Sequence, residues 1–323
     1  MRLGEFIKNI FSITDYGETH KILRILGLKI KFPKPEYAKK KKESPYYYYK
    51  KNNIDITTLP PATGQIRDIQ LANLALLKEL DYVCKENGLT YWLDGGTLLG
   101  AVRHKGFIPW DDDIDTAMLR DDYNKIIEAF KKSSRNPDIY VGYFRSKKSP
   151  NMMFLRVLHK KCSYLSVDIF PWDNYGKVLS EEEQLKYSKV IRLKLKKLEK
   201  VAFQLSDKEL KHKLQEFMKK EILQKDNVQI SEVKNYVWGV DFNHPFDNWF
   251  WKYEDLYPIK EIEFEGIKFP CMNRYEYFLK RLYKNYLAYP PKITMGHSML
   301  LNLSEEEQNI IKELAKQTSK EDE

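Results

Sequence analysis

Apolar positions recur along this chain with two periods. Ile66, Ile69, Leu74, Leu77, Leu80 and Cys84 keep a spacing near 3.6 residues, which predicts an amphipathic helix that Asn87-Gly88 would stop. A strand is expected over Tyr91 to Asp94. After Gly95-Gly96 come a short helix over Thr97 to His104, a turn at Gly106, a strand over Asp113 to Leu119 and a helix with an acidic start over Asp121 to Lys132. Short apolar runs at residues 139–144, 153–158 and 165–170 predict three more strands. Ser180/Glu183 and Ser206/Glu209 match capping boxes ahead of long Lys-, Leu- and Glu-rich helices. Residues 236–258 are dense in aromatics: Tyr236, Trp238, Phe242, Phe246, Trp249, Phe250, Trp251, Tyr253 and Tyr257. Beyond them Glu263 to Phe269 reads as a strand and Asn273 to Tyr286 as a helix, while Ser304/Glu307 caps a last helix expected to fray from Lys316. Strands intermixed with short helices give an α+β core. The expected divisions are a basic tail over 1–60, a catalytic core over 61–175, a helical and aromatic-rich part over 176–303, and a terminal helix with a frayed tail over 304–323.

A length of 323 residues suits one large or two modest domains. Mean hydropathy is −0.59, and neither a membrane-spanning apolar run of roughly 20 residues nor a signal peptide is evident. The expected location is the cytoplasm or the inner face of its membrane. Cys84, Cys162 and Cys271 form no CxxC pair, so a reducing compartment without a thiolate zinc site fits. Of the net charge of +9, residues 1–60 hold +7 and the remainder only +2, so no nucleic-acid partner is expected. Within that tail Leu3, Ile7, Ile10 and Phe11 recur at helical spacing, and Lys39 to Lys42 precede Tyr46, Tyr47, Tyr48 and Tyr49. Basic and aromatic residues together suit an anionic membrane surface; a solvated linker or a short helix docked on the domain is the plainer reading.

The chemistry-bearing stretch is Trp110-Asp111-Asp112-Asp113-Ile114-Asp115. In an extended segment Asp111, Asp113 and Asp115 would share one face, and such mutual repulsion is relieved by a divalent cation. Oxygen ligands imply Mg²⁺ or Mn²⁺, and no EF-hand glycine follows. A solvated acidic loop is the alternative, but apolar segments flank the run on both sides. Upstream, Gly95, Gly96 and Thr97 stand between a strand and a helix, where backbone amides can meet a phosphate. Arg103, His104 and Lys105 follow, either offsetting a pyrophosphate's charge or lying in an exposed basic loop. Asp168 interrupts an apolar strand, a costly place for a carboxylate unless it is paired or metal-bound. It could complete a metal site with Asp113 and Asp115 or act as a general base. Arg156 is either a source of positive charge there or a structural partner for a carboxylate.

A glycine turn, a two-carboxylate strand and a third carboxylate on a later strand are the parts of a nucleotidyltransferase fold, with a mixed sheet, flanking helices and a helical insertion. The run from Trp92 to Tyr123 resembles the LicD family of phosphotransferases, bacterial relatives of the fukutin proteins, and residues 167–173, with Trp172 and Asp173, are similar to the family's second block. FEGIKFP at 264–270, the stretch to Tyr286 and His297 look like its C-terminal part. The resemblance implies metal-dependent transfer of a phospho-alcohol, most familiarly phosphocholine from CDP-choline, to a hydroxyl of a cell-surface glycan or its lipid-linked precursor. CMP would leave. CDP-ethanolamine, CDP-glycerol and CDP-ribitol are alternative donors, as is a nucleotide sugar in a DxD glycosyltransferase. On this reading Asp113, Asp115 and Asp168 hold the metal, Asp111 and Asp112 support it, and Gly95, Gly96 and Thr97 hold phosphate oxygens. A quaternary ammonium would call for ring faces, which Trp110, Trp172 and the 238–251 stretch could offer, although rings at this density are more often core.

Overall fold

The computed structural model describes residues 11–16, 20–25, 28–33, 45–175, 180–223, 235–242, 250–293 and 303–320. Strands β1 (Phe11–Tyr16), β2 (His20–Ile25) and β3 (Leu28–Pro33) make a small antiparallel sheet, with Phe11 opposite Ile25 and His20 opposite Pro33. Phe11 therefore lies in a strand, not in the helix expected from its spacing. Leu3, Ile7, Ile10 and Lys39 to Lys42 lie outside the described residues.

Helix α1 (Pro45–Lys51) carries the four tyrosines and turns most of them inward. Tyr46 is buried and donates to the Pro109 carbonyl (2.8 Å), Tyr47 donates to the Ile293 carbonyl (3.1 Å), and Lys50 Nζ reaches the Pro290 and Pro291 carbonyls at 2.5 and 2.8 Å. The membrane reading of this aromatic run is thus corrected. Hydroxyls that can hydrogen-bond a folded backbone are held there, and the docked-helix alternative describes what is seen.

Helix α2 (Gln65–Asn87) buries Ile69, Leu74, Leu77, Leu80 and Cys84 as its period requires. Gly88 ends it in the left-handed region (φ 62°), with its N–H directed back at the Cys84 and Lys85 carbonyls. The catalytic sheet then follows as β4 (Tyr91–Leu93), α3 (Gly95–His104), β5 (Ile114–Leu119), α4 (Arg120–Ser133), β6 (Ile139–Arg145), β7 (Met153–His159) and β8 (Cys162–Tyr175). Strand β5 runs antiparallel to β4 and parallel to β8, pairing Asp115 with Asp168. On its other edge β8 pairs antiparallel first with β7, which carries β6. Pro171 has no N–H to give to that ladder; beyond it β9 (Asn235–Trp238) takes over from Trp172 onward and carries β10 (Phe250–Lys252). The strand is accordingly longer than its apolar run suggested, and seven strands make one mixed sheet.

Between β8 and β9 stand α5 (Glu181–Ala202) and α6 (Asp207–Met218), each opened by the expected capping box. After α7 (Tyr253–Leu256) comes a correction: the segment read as one strand is a hairpin, β11 (Lys260–Phe264) and β12 (Ile267–Cys271). The turn residues Glu265 and Gly266 both sit at positive φ, 53° and 77°, as a two-residue hairpin turn requires. Helix α8 (Tyr275–Tyr283) and helix α9 (Glu305–Lys320) complete the chain. The end of α9 is not frayed up to Lys320. It packs along α2, and buried Thr318 donates to the Leu71 carbonyl at 3.2 Å. Phe246, Trp249 and His297 lie outside the described residues.

Candidate active site

The acidic run is placed by a helix behind it. Gln70 and Asn73, buried polar positions on α2, donate to the Asp111 carbonyl (2.7 Å) and the Asp112 carbonyl (2.8 Å), while Asn73 Oδ1 accepts from Ser166 N–H (3.0 Å). A second clamp comes from the hairpin: Glu265 accepts from Phe107 N–H (2.9 Å) and is itself held by Arg67 at 2.6 and 3.0 Å. These contacts fold residues 107–113 into a fixed loop, with β5 beginning only at Ile114. Strand alternation is therefore not what gathers the acids. The loop brings carboxylate oxygens of Asp111, Asp112 and Asp113 within 4.8 Å of one another.

Asp115 enters from β5 against the glycine turn. Its Oδ2 accepts the Gly96 N–H (2.9 Å), its own N–H donates to Thr97 Oγ1 (2.8 Å), and Asp94 N–H donates to its carbonyl (3.0 Å). A Cβ on Gly95 would stand 2.5 Å from Asp115 Oδ2, and one on Gly96 would stand 3.0 Å from Asp111 Oδ2. Both carboxylates thus press on the same turn. The two glycines let the protein's own carboxylates approach the turn closely. Gly95 N–H is likewise engaged, by Asp94 Oδ1 at 2.9 Å.

Burial and then the charge of Asp113 push the carboxyls of Asp111 and Asp115 well above their ordinary range. Asp94, which caps α3 and accepts the Trp238 indole N–H at 3.2 Å, is raised by burial to about 6, against the lowering effect of its hydrogen bonds. Among the described residues no Lys or Arg makes an ion pair with Asp111 or Asp115. Asp168, beside Asp115 in the sheet, is different: Arg156 on β7 grips both its oxygens, at 2.6 and 3.0 Å. The guanidinium lies 3.5 Å from the Phe144 ring centroid.

Several expected residues fall elsewhere. Asp173 is buried under Arg120, which binds both its oxygens (2.7 and 2.9 Å) and also Asp241, so it is structural. Trp172 is fully enclosed by Trp92, Trp238, Trp251 and Phe278 and offers no face to a ligand. Trp110 stacks with Tyr289 and meets the tilted Tyr46 ring at 5.2 Å, with the Arg103 guanidinium 5.8 Å from its centroid. Arg103 donates to His104 Nε2 (2.9 Å); burial and then Arg103's charge pull the His104 imidazole down to about 4, so it is neutral at pH 7 and cannot offset an anion's charge. Lys105 points toward Glu263 on the hairpin, 3.7 Å away. Conversely, Asp94, Trp238 and Tyr283 join the site without having been singled out as site residues. The Tyr283 phenol, itself 40% exposed, is pushed up by desolvation and then by the charges of Asp115, Asp94, Asp111 and Asp113. Nothing in the spacing along the chain links position 238 or 283 to position 94.

All-oxygen donors, mutually repelling and buried, fit a hard divalent cation. A neutral or apolar ligand would leave that repulsion standing.

The chain is similar to known proteins. The model of the LicD/FKTN/FKRP nucleotidyltransferase domain matches residues 88–207. The chain is 29% identical over 251 residues to the lipopolysaccharide cholinephosphotransferase LicD of Haemophilus influenzae, covering 70% of this chain and 93% of that protein. It is 31% identical over 103 residues to the human ribitol 5-phosphate transferase FKRP, covering 32% of this chain and 21% of that protein.

Proposed function

The chain carries a LicD-family nucleotidyltransferase domain, a transferase domain, and from that premise we propose that it moves a phospho-alcohol from a CDP-alcohol to a hydroxyl of a cell-surface glycan or its lipid-linked precursor, releasing CMP. CDP-choline is the first donor to test, because the relative covered over 93% of its length is named a cholinephosphotransferase. The observation that carries the reading is the approach of Asp111 and Asp115 to the Gly95-Gly96 turn, with Asp113 beside Asp111.

Asp113 and Asp115, with Asp111 beside them, are the residues that would hold Mg²⁺ or Mn²⁺, which when bound neutralises charge on a transferring phosphoryl group. Asp168 is oriented by Arg156, which contacts both its carboxylate oxygens, in the register position next to Asp115. That suits it to accept the proton of an acceptor hydroxyl, or to share the cation. The turn at Gly95 and Gly96 fixes the Asp115 carboxylate, and α2 fixes the acidic loop through Gln70 and Asn73, so the acids are positioned before substrate arrives. Arg103 stays charged at neutral pH although burial pulls it down to about 10. It is the basic residue of the 103–105 run suited to a phosphate.

The reaction is placed at a membrane leaflet, where a lipid-linked acceptor resides, with the protein attached at the surface. No helix among the described residues is long and apolar enough to cross a membrane.

Thermal shift with Mg²⁺ against CDP-choline, CDP-ethanolamine, CDP-glycerol, CDP-ribitol and a panel of nucleotide sugars tests the proposal. One CDP-alcohol should stabilise the protein, and Asp113→Asn should abolish the effect. Stabilisation by a nucleotide sugar alone would overturn it in favour of glycosyl transfer.

A further inference from the structure

The helical insertion presents a surface that neither the acidic site nor the core uses. Over its 22 residues α5 extends about 33 Å. Its inner face is fixed to the catalytic domain: Tyr187, Ile191, Leu195 and Ala202 are buried, and Tyr187 meets the Phe250 ring at 5.6 Å. Asn151 donates to the Leu195 carbonyl at 3.3 Å, and Arg145 donates to the Leu205 carbonyl at 2.8 Å.

The opposite face combines two kinds of exposed residue. Leu185, Val190 and Val201 are exposed, and Leu193 and Phe203 are 64% and 68% exposed. Between them stand Lys186, Lys189, Lys196, Lys197 and Lys200, all exposed. Helix α5 holds seven Lys or Arg against four Glu, a net of +3; three of the acids, Glu181 to Glu183, stand in its first turn, so residues 184–202 net +6, whereas residues 61–323 together net only +2. Past its acidic first turn the helix is therefore strongly basic.

A water-soluble polyanion would use the lysines and leave Leu193 and Phe203 in water. A bilayer surface uses both, since apolar side chains enter the headgroup boundary while lysine stems lie along it and carry their ammonium groups to lipid phosphates. We propose that the outward face of α5 docks on an anionic lipid surface, with Leu185, Leu193 and Phe203 inserted and Lys189, Lys196 and Lys200 on the headgroups. This rests on the surface-attachment part of the proposed function and is independent of the donor. It also relocates that attachment, because Tyr46, Tyr47 and Lys50 are committed to the domain.

The test is co-sedimentation of the full chain with phosphatidylglycerol-rich vesicles and with phosphatidylcholine alone. The variants are Lys189→Gln/Lys196→Gln/Lys200→Gln and, separately, Leu193→Ser/Phe203→Ser; every position is exposed, and melting curves verify folding. At about fivefold per lysine, the first variant should bind anionic vesicles roughly 100-fold more weakly, with the salt dependence flattened. The second should lose about tenfold or more at any ionic strength. If wild-type protein binds and both variants bind equally well, lipid contact lies elsewhere in the chain, which overturns the α5 assignment and leaves surface attachment standing. If wild-type protein binds neither vesicle, both fall. Binding to a soluble anionic polysaccharide as tight as to vesicles and unchanged by Leu193→Ser/Phe203→Ser would overturn the lipid assignment alone.

Discussion

Gly88 and Gly95 make a matched pair, since both hold a left-handed backbone, at φ 62° and 49°, and differ in what surrounds them. A Cβ at Gly88 meets nothing within 4 Å, whereas one at Gly95 stands 2.5 Å from Asp115 Oδ2, 3.1 Å from its Cγ and 3.3 Å from its Cβ. Alanine at either position bears the left-handed cost of about 1–2 kcal/mol, a few degrees of melting temperature. At Gly95 the whole Asp115 carboxylate must also retreat by about 1 Å to reach ordinary contact, away from the Gly96 N–H that holds it. A misplacement of that size can lower turnover about 100-fold. Gly88→Ala and Gly95→Ala should therefore melt within a few degrees of each other while kcat/KM, followed as CMP release with the stabilising CDP-alcohol and Mg²⁺, falls at least about 100-fold only in Gly95→Ala. Equal activities in two folded variants would refute the claim that the turn exists to seat Asp115.

Asp113→Asn should leave the fold intact and lower turnover by about a thousandfold or more, measured as CMP release, because a ligand to a phosphoryl-transfer cation is lost. Arg120→Met strands the buried Asp173 and Asp241 carboxylates and should cost about 3–5 kcal/mol in denaturant unfolding, with activity per folded molecule preserved. His104 has its folded pKa depressed to about 4, so its own contribution to stability rises with pH between pH 4 and 6.5, against the contributions of Asp94, Asp111 and Asp115, which fall as pH rises; the stability difference between wild type and His104→Gln should therefore grow in favour of wild type from pH 5 to 7. Discounted for the ring's partial exposure, that contribution is about 1–2 kcal/mol, readable from melts at pH 5 and 7. Trp172→Phe should lower the melting temperature and leave the KM for the CDP-alcohol unchanged, since no ligand can reach that ring.

The parts of this fold set by short-range periodicity were legible in the chain. Helix α2, β4 through α4 and both capping boxes follow from residues a few positions apart. What the sequence could not disclose depends on partners far apart in it. Whether Tyr46 faces a membrane or Pro109 is decided by a contact across 63 positions, and Trp238 reaches Asp94 across 144. The hairpin is hidden because Ile262, Phe264, Ile267 and Phe269 place apolar residues on both sides of the turn, and its one turn signal is the single Gly266. The acids were found from their crowding, but the expected reason for their convergence was strand alternation. The loop obtains the same convergence from Gln70 and Asn73 on α2, two polar residues inside an apolar stripe whose purpose appears only once the loop lies over them.

Distribution of arginine separates the carboxylates of this site more sharply than their spacing does. Asp173 and Asp168 stand on the same strand, and each receives a two-pronged guanidinium, from Arg120 and Arg156 respectively. A bidentate arginine fixes a carboxylate's direction and supplies it with opposite charge, which at Asp173 offsets part of the upward push of burial. Asp111 and Asp115 have no such ion pair among the described residues, and their repulsion is borne by the Gly96 N–H, by the shared hydrogen bond with Asp113 and by protonation. Asp111 and Asp115 lack, among the described residues, the two-pronged guanidinium that Asp168 and Asp173 receive, and although the charge of Arg103 acts on Asp111, the crowding suits the cation proposed above. Adding divalent cation should accordingly raise the melting temperature more as pH rises, because burial and the charge of Asp113 favour protonated carboxyls at Asp111 and Asp115 and protons compete with the cation for them. A cation effect that grows as pH falls, or that survives in Asp111→Asn/Asp115→Asn, would place the cation elsewhere in the chain.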